Sequence, residues 1–270
     1  MKEIMNRINK LFQQKKKNIL SIYFTAGFPH LEDTGEILNA LQKHGADLIE
    51  IGIPYSDPLA DGPVIQHSSM VAIKNGITIN KIFAQLNRLH NLYRSGARGI
   101  PFILMGYLNP VLQYGFEKFC LDAKACGVDG IILPDLPMYE YEKEYKNIFE
   151  QNGLNFIFLI TPETSEERIR KIDTLSNGFI YAVSSSSITG TGKNIDEQES
   201  YFQRLNNMKL KNEILIGFGI RDNNTFTAAC KHAAGAIIGT AYIKAIENSK
   251  DIEADTKKFL NSILQAETVG

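Results

Sequence analysis

DLIEIGIPYSDPLADGPVIQ, residues 47–66, is the stretch on which the reading of this chain turns. Its first part alternates. Ile49, Ile51 and Ile53 fall on one face and Leu48, Glu50 and Gly52 on the other, the period of two that marks a strand. Glu50 therefore places a carboxylate inside a segment otherwise written for burial. The second part is a loop of Pro, Gly and Asp in which another acid, Asp61, follows eleven residues after the first. What the two carboxylates share is the question the rest of the chain has to answer.

Apolar runs of the same kind recur on both sides: NILSIYFT (18–25), PFILMGY (101–107), GIILPD (130–135), LNFIFLI (154–160), GFIYAVS (178–184), EILIGFG (213–219) and AGAIIGT (234–240). With 47–53 they make about eight strands, separated by stretches of helical period. In LEDTGEILNALQKHG, Ile37, Leu38 and Leu41 form an apolar stripe, and Gly45 ends the helix where a left-handed residue is wanted. The same pattern predicts helices over Ile79–Tyr93, Val111–Cys126, Tyr139–Glu150, Glu166–Leu175 and Ile252–Leu264. MKEIMNRINKLF adds a leading helix whose Ile4, Ile8, Leu11 and Phe12 share a face, expected to pack on the outside or bottom of the remaining strands and helices. Strands alternating with helices imply a parallel sheet covered by helices, and eight such units match a closed α/β (β/α)8 TIM barrel with an extra N-terminal helix. An open doubly wound sheet is the alternative. Nothing resembles an interdomain linker, so residues 1–270 are expected to form one domain.

In a barrel, alternate strand residues face the interior. That points Leu48, Glu50 and Gly52 inward and puts Glu50 near the catalytic end of the second strand. A buried carboxylate without partners costs several kcal/mol, so it calls either for a neighbouring cation or backbone donor or for a catalytic task. Desolvation raises a carboxyl pKa toward neutrality, which suits acid–base work. Asp61, with Asp57 beside it, lies in the loop on the face where barrel enzymes keep their chemistry. Asp before Pro or Gly is also a common turn former.

The bulk numbers restrict the partners. At 270 residues, 44% hydrophobic and 22% charged, the chain is ordinary globular material, and a net charge of −1 gives no long-range attraction to nucleic acid or an anionic membrane. Any anion site must be local. GFGIRD (217–222) and GAIIGTAYIKAI (235–246) bring glycines to strand ends, and Gly239 and Thr240 can open a short helix whose free N–H groups suit a phosphate. Tight turns alone would also use these glycines. SSSSITGTG (184–192) is too polar to pack and is expected to be a mobile lid, with plain linker as the alternative. Cys120, Cys126 and Cys230 lack zinc spacing and are expected to be reduced core thiols. No apolar run approaches the roughly 20 residues of a membrane span and no signal core opens the chain, so a cytoplasmic protein is expected.

The strand runs carry no lysine for a Schiff base, and the five histidines are scattered rather than clustered as metal ligands. No dinucleotide fingerprint follows the first strand, and the serine run lacks the flanking glycines of a nucleophile elbow. Carboxylate acid–base chemistry on a phosphorylated substrate remains.

IEIGIPYSDPLADGPVIQ (49–66) resembles the signature of the tryptophan synthase alpha chain family, and YFTAGFP (23–29), LMGYLNP (104–110), GVDGIILPDLP (127–137), ITGTG (188–192), GFGI (217–220) and GAIIGTA (235–241) follow in the same order. The resemblance implies retro-aldol cleavage of indole-3-glycerol phosphate to indole and glyceraldehyde 3-phosphate, with no cofactor and no metal. It implies that Glu50 moves the protons and that Asp61 binds the indole N–H. Tyr23, Tyr107 and Tyr181 would line the indole pocket or support Glu50, Thr189 would meet Asp61, and Gly190, Gly219, Gly239 and Thr240 would hold the phosphate. A pyridoxal-phosphate beta chain is the implied partner, in an alpha2–beta2 heterotetramer, with Asp57, Pro58 and Asn109 near the interface. Ser187 stands where the family usually has Gly, and Thr240 where it usually has Ser. Two rivals stay open: another phosphosugar barrel enzyme, such as an isomerase or an indole-glycerol-phosphate synthase, which generally employs a strand-end lysine, and a noncatalytic phosphate-ligand sensor, which has no use for Glu50.

Overall fold

Nine strands pair in parallel in the computed structural model, which describes residues 5–93, 99–184, 195–217 and 219–265. They are Ile19–Thr25 (β1), Leu48–Gly52 (β2), Phe102–Met105 (β3), Gly130–Ile132 (β4), Asn155–Phe156 (β5), Leu159–Ile160 (β6), Phe179–Val183 (β7), Glu213–Gly217 (β8) and Gly235–Ile238 (β9). Their spatial order follows the chain, and β1 lies between β2 and β9, so the last strand pairs with the first. This is the closed (β/α)8 barrel, and the open doubly wound sheet is ruled out. The fifth run differs from expectation in one respect: it is two short strands. β5 pairs with β4 and β6 with β7, while Ile157 N donates to Ile131 O at 3.1 Å and Tyr181 N donates to Phe158 O at 3.0 Å. The bend between them hands the ring from one neighbour to the next.

The alternation read from the sequence sorts the core into two. Leu20, Ile22, Phe24, Ile49 and Ile51 pack outward under the helices, and Ile19, Leu48, Ile103, Phe179, Leu215 and Ile237 fill the interior. The leading helix, Arg7–Gln14, closes the bottom: Ile8 and Phe12 belong to the interior cluster, with the Phe12 ring 5.6 Å from that of Phe179. The Asn6 side chain caps it by accepting from Ile8 N at 2.9 Å. Arg7 ties it down by a two-pronged pairing with the buried Asp129, at 2.9 Å from Nε and 2.7 Å from Nη2. Ile4 lies outside the described residues.

Glu166–Leu175 and Ile252–Leu264 form the expected helices. The helix expected over 111–126 is two, Leu108–Tyr114 and Phe116–Ala125, because Gly115 takes φ 95° and ψ 113° and breaks the turn. The one expected over 139–150 runs through Met138–Glu140, a π turn at Tyr141–Tyr145 and Lys146–Asn152. Helices Pro63–Lys74, Ile195–Met208 and Asn223–His232 were not anticipated; the last is started by a capping box between Asp222 and Thr225. Cys120, Cys126 and Cys230 are free and buried, as expected, and burial pushes the Cys126 thiol up to about 11.

Candidate active site

Glu50 stands opposite Tyr23 on β1 and Ile103 on β3, inside the barrel wall and fully buried. Its Oε1 accepts a hydrogen bond from Ser21 Oγ at 2.8 Å, and its Oε2 meets no hydrogen-bond partner among the described residues. No cation or backbone donor among those residues offsets the burial, so the satisfied structural ion pair left open by the sequence is absent there. Burial accordingly pushes the carboxyl up to about 7, against the opposing effect of the Ser21 hydrogen bond. Ser21 lies opposite Leu48, one inward step nearer the closed end than Tyr23. The carboxylate is therefore turned away from the catalytic rim.

Asp61 reaches the site from the loop after β2. Tyr107, which follows β3, donates its hydroxyl to Asp61 Oδ2 at 3.0 Å and accepts from Ala60 N at 3.0 Å, so one phenol fixes both the loop backbone and the acid. Gln66 Nε2 donates to the Asp61 carbonyl at 2.8 Å and secures the loop to helix Pro63–Lys74. Burial pushes Asp61 up to about 6, with the Tyr107 hydrogen bond opposing it.

A cleft of about 470 Å³, including its open mouth, lies beside Asp61. Tyr23 and Tyr181 form polar-tipped aromatic walls, Ile65, Met105, Ile220 and Ile237 supply apolar surface, and Gly219, Gly239 and Thr240 complete the lining. The two tyrosines fit because their neighbours have no side chains. A Cβ on Gly52 would fall 2.1 Å from the Tyr23 hydroxyl oxygen, and one on Gly217 would fall 2.2 Å from that of Tyr181. Burial, followed by Asp61 and then more weakly Glu50, pushes the Tyr23 hydroxyl far above its ordinary range; burial, Glu50 and Asp61 do the same to Tyr181. Both phenols are neutral hydrogen-bonding groups at any physiological pH. Also lining the cleft, Gly219 has φ 78°, open to glycine at no steric cost, and Gly239 lies against the Tyr23 ring and precedes helix Thr240–Ile246.

Of the residues singled out in the sequence, Tyr23, Asp61, Tyr181, Gly219, Gly239 and Thr240 thus line one cleft. Tyr107 is a step behind, holding Asp61 rather than lining the cleft, and Glu50 is buried next to it without lining it. Thr189, Gly190 and Ser187, with the lid expected over 184–192 apart from Ser184, lie outside the described residues. Asp57 and Asn109 are exposed and Pro58 is half-buried. Ser21 was missed. Its inward position follows from the alternation of β1, but its contact with Glu50 depends on the register between β1 and β2, which no local pattern encodes.

A family model described as Tryptophan synthase alpha chain matches residues 9–268. The tryptophan synthase alpha chain of Phocaeicola vulgatus is 51% identical over 263 residues, covering 97% of this chain and 99% of that protein. That of Christiangramia forsetii is 54% identical over 246 residues, covering 91% and 94%. Among solved structures, the tryptophan synthase alpha chain of Legionella pneumophila superposes with a TM-score of 0.84 at 34% identity and covers 96% of each chain. Matched along nearly its whole length in sequence, and in the closure of its barrel, the chain belongs to the tryptophan synthase alpha chain family.

Proposed function

We propose that Glu50 and Asp61 divide between them the chemistry of this lyase, which cleaves indole-3-glycerol phosphate to indole and glyceraldehyde 3-phosphate. The observation that carries the assignment is a fully buried glutamate, held by one hydroxyl and lifted to about 7, next to a cleft walled by a second acid. A carboxyl that titrates near neutrality is available both as acid and as base. Protonated Glu50 gives its proton to C3 of the indole ring, which becomes an indolenine with positive charge at nitrogen. Asp61, ionised above about 6, accepts the ring N–H and stabilises that charge. Glu50 then takes the proton of the adjacent glycerol hydroxyl as the carbon–carbon bond breaks. The hydroxyl carbon becomes the aldehyde, the bonding pair flows into the ring and neutralises the nitrogen, and Glu50 is protonated again. The ring itself is the electron sink, so the step asks for neither a lysine nor a metal.

The rest of the cleft supports the same substrate. Tyr23 and Tyr181 offer flat apolar faces to the indole, and the backbone at Gly219, Gly239 and Thr240 offers N–H groups to the phosphate without a net basic surface. Thr189, read as meeting Asp61, and Gly190, read as a further phosphate contact, belong to the same proposal and lie outside the described residues. The sensor alternative leaves unexplained why an ionisable group is buried under the cleft at all.

We also infer that the chain pairs with a pyridoxal-phosphate beta chain as an alpha2–beta2 heterotetramer in the cytoplasm, where a charged phosphorylated substrate is retained. Leu59, next to Asp57 and Pro58, is 94% exposed, and Leu112, three residues past Asn109, is 46% exposed, both on the C-terminal face of the barrel. Membership of the tryptophan synthase alpha chain family supports that partner, and these exposed leucines are where the interface is tested.

Glu50→Gln is expected to lower kcat for indole release by about 10²–10⁴-fold with little change in KM, and Asp61→Asn by about 10²–10³-fold. Steady-state assays with indole-3-glycerol phosphate check this, and an active Glu50→Gln enzyme overturns the mechanism. The raised Glu50 pKa also links folding to pH: the folded state holds the proton more tightly than the unfolded chain, so this stabilisation is complete below 4.5 and is lost as pH rises through about 7. The difference in unfolding free energy between wild type and Glu50→Gln should fall by on the order of 3 kcal/mol from pH 4.5 to 8; denaturant titrations showing a flat difference contradict it. Leu59→Glu should weaken beta-chain binding about tenfold or more by calorimetry while leaving the turnover of the free chain unchanged. Sedimentation of the complex as a one-to-one pair would contradict the stoichiometry.

A further inference from the structure

We propose that Ser21 is a positioning residue for Glu50: its hydroxyl parks the carboxylate toward the closed end of the barrel, and Glu50 acts on substrate only after leaving it. The inference rests on the reading of Glu50 as the acid–base group and adds the element that controls it.

The geometry is specific. Ser21 and Glu50 are both 0% exposed, so their 2.8 Å hydrogen bond is made without competing solvent. Ser21 has a single hydroxyl proton, and it holds Oε1; Oε2 has no partner among the described residues. In register Ser21 faces Leu48, whereas Tyr23 faces Glu50 and Thr25 faces Gly52, so the bond turns the carboxylate toward the Ser21 level, the side of the closed end. Above Glu50 the space over Gly52 is taken by the Tyr23 ring, whose hydroxyl lies 2.1 Å from where a Gly52 Cβ would be. Glu50 is absent from the lining of the cleft while Asp61, Tyr23 and Tyr181 are part of it. A carboxylate parked in this way cannot touch C3 of a ring bound between those walls. A single tether among the described residues, with the other oxygen unpaired there, is what allows it to turn.

The groups around Glu50 limit what else could set its behaviour. Tyr23 on β1 and Tyr181 on β7 are buried, neutral phenols coupled to it, and Asp61 stands across the cleft from the loop after β2, backed by Tyr107. The phenols do not titrate in the working range, and Asp61 is common to every variant below. Ser21 is the donor whose removal changes the Glu50 environment alone, and it favours the ionised, parked form.

The test follows the Glu50 carboxyl directly, by infrared difference spectra against Glu50→Gln over pH 5–9, in wild type, Ser21→Ala and Ser21→Thr. Ser21→Ala should move the titration upward by roughly one pH unit, and move the Glu50-dependent limb of the kcat–pH profile by the same amount with KM unchanged. Ser21→Thr, which keeps the hydroxyl, should return both toward wild type. A titration in Ser21→Ala that coincides with wild type, or a loss of activity at constant limb position, overturns the proposal. The two failures are separable: turnover retained in Glu50→Gln defeats the catalytic assignment whatever Ser21 does, whereas an inactive Glu50→Gln beside an unshifted Ser21→Ala defeats only the role of Ser21.

Discussion

One carboxylate buried in a barrel wall against a single hydroxyl sets the terms for this molecule. Folding takes Glu50 out of water and, among the described residues, gives back one hydrogen bond from Ser21. Were the compensation complete, by an arginine or by backbone donors, the acid would be stable, fully ionised and useless at neutral pH. Asp129 is the contrast in the same fold: also buried, it is answered by two hydrogen bonds from Arg7 and one from Phe102 N, and the pair fastens the N-terminal helix. Glu50 is left under-compensated, and the acid–base role proposed for it rests on that deficit.

The barrel supplies the rigidity that makes such a deficit tolerable. The helix Arg7–Gln14 plugs the bottom with Ile8 and Phe12, and Ile19, Leu48, Ile103, Phe179 and Leu215 fill the interior, with Ser21 the polar group opposite Leu48. The glycines of the upper layer then decide the shape of the cleft. Gly52 and Gly217 carry the rings of Tyr23 and Tyr181, and Gly219 and Gly239 bring backbone to the cleft. Acid, aromatic wall and the glycine backbone proposed to bind the phosphate thus arise on different strands and meet because the strands close into a ring.

Much of this was legible in the sequence. The alternation in 47–53 placed Glu50 inward, the eight apolar runs gave the barrel, and the glycines after the last two strands marked the rim. Other features had no local signal. The split of the fifth strand comes from its two neighbours rather than from LNFIFLI itself, which reads as one uninterrupted apolar run. The break at Gly115 is hidden because a helix can tolerate an isolated glycine. Tyr107 is an aromatic residue by composition, yet its place on Asp61 instead of in the cleft depends on how the β2 and β3 loops pack. The Ser21 contact needed the register of two strands joined by a helix, a long-range property.

The most direct test of the account is the distance from the Glu50 carboxylate to C3 of a bound ring, measured in a crystal structure with an unreactive indole-alkyl phosphate. The account predicts Glu50 released from Ser21 with a carboxyl oxygen about 3–3.5 Å from C3, Asp61 on the indole nitrogen and the phosphate at Gly219, Gly239 and Thr240. A ring seated in the cleft with Glu50 still on Ser21, or with Asp61 turned away from the nitrogen, would contradict it.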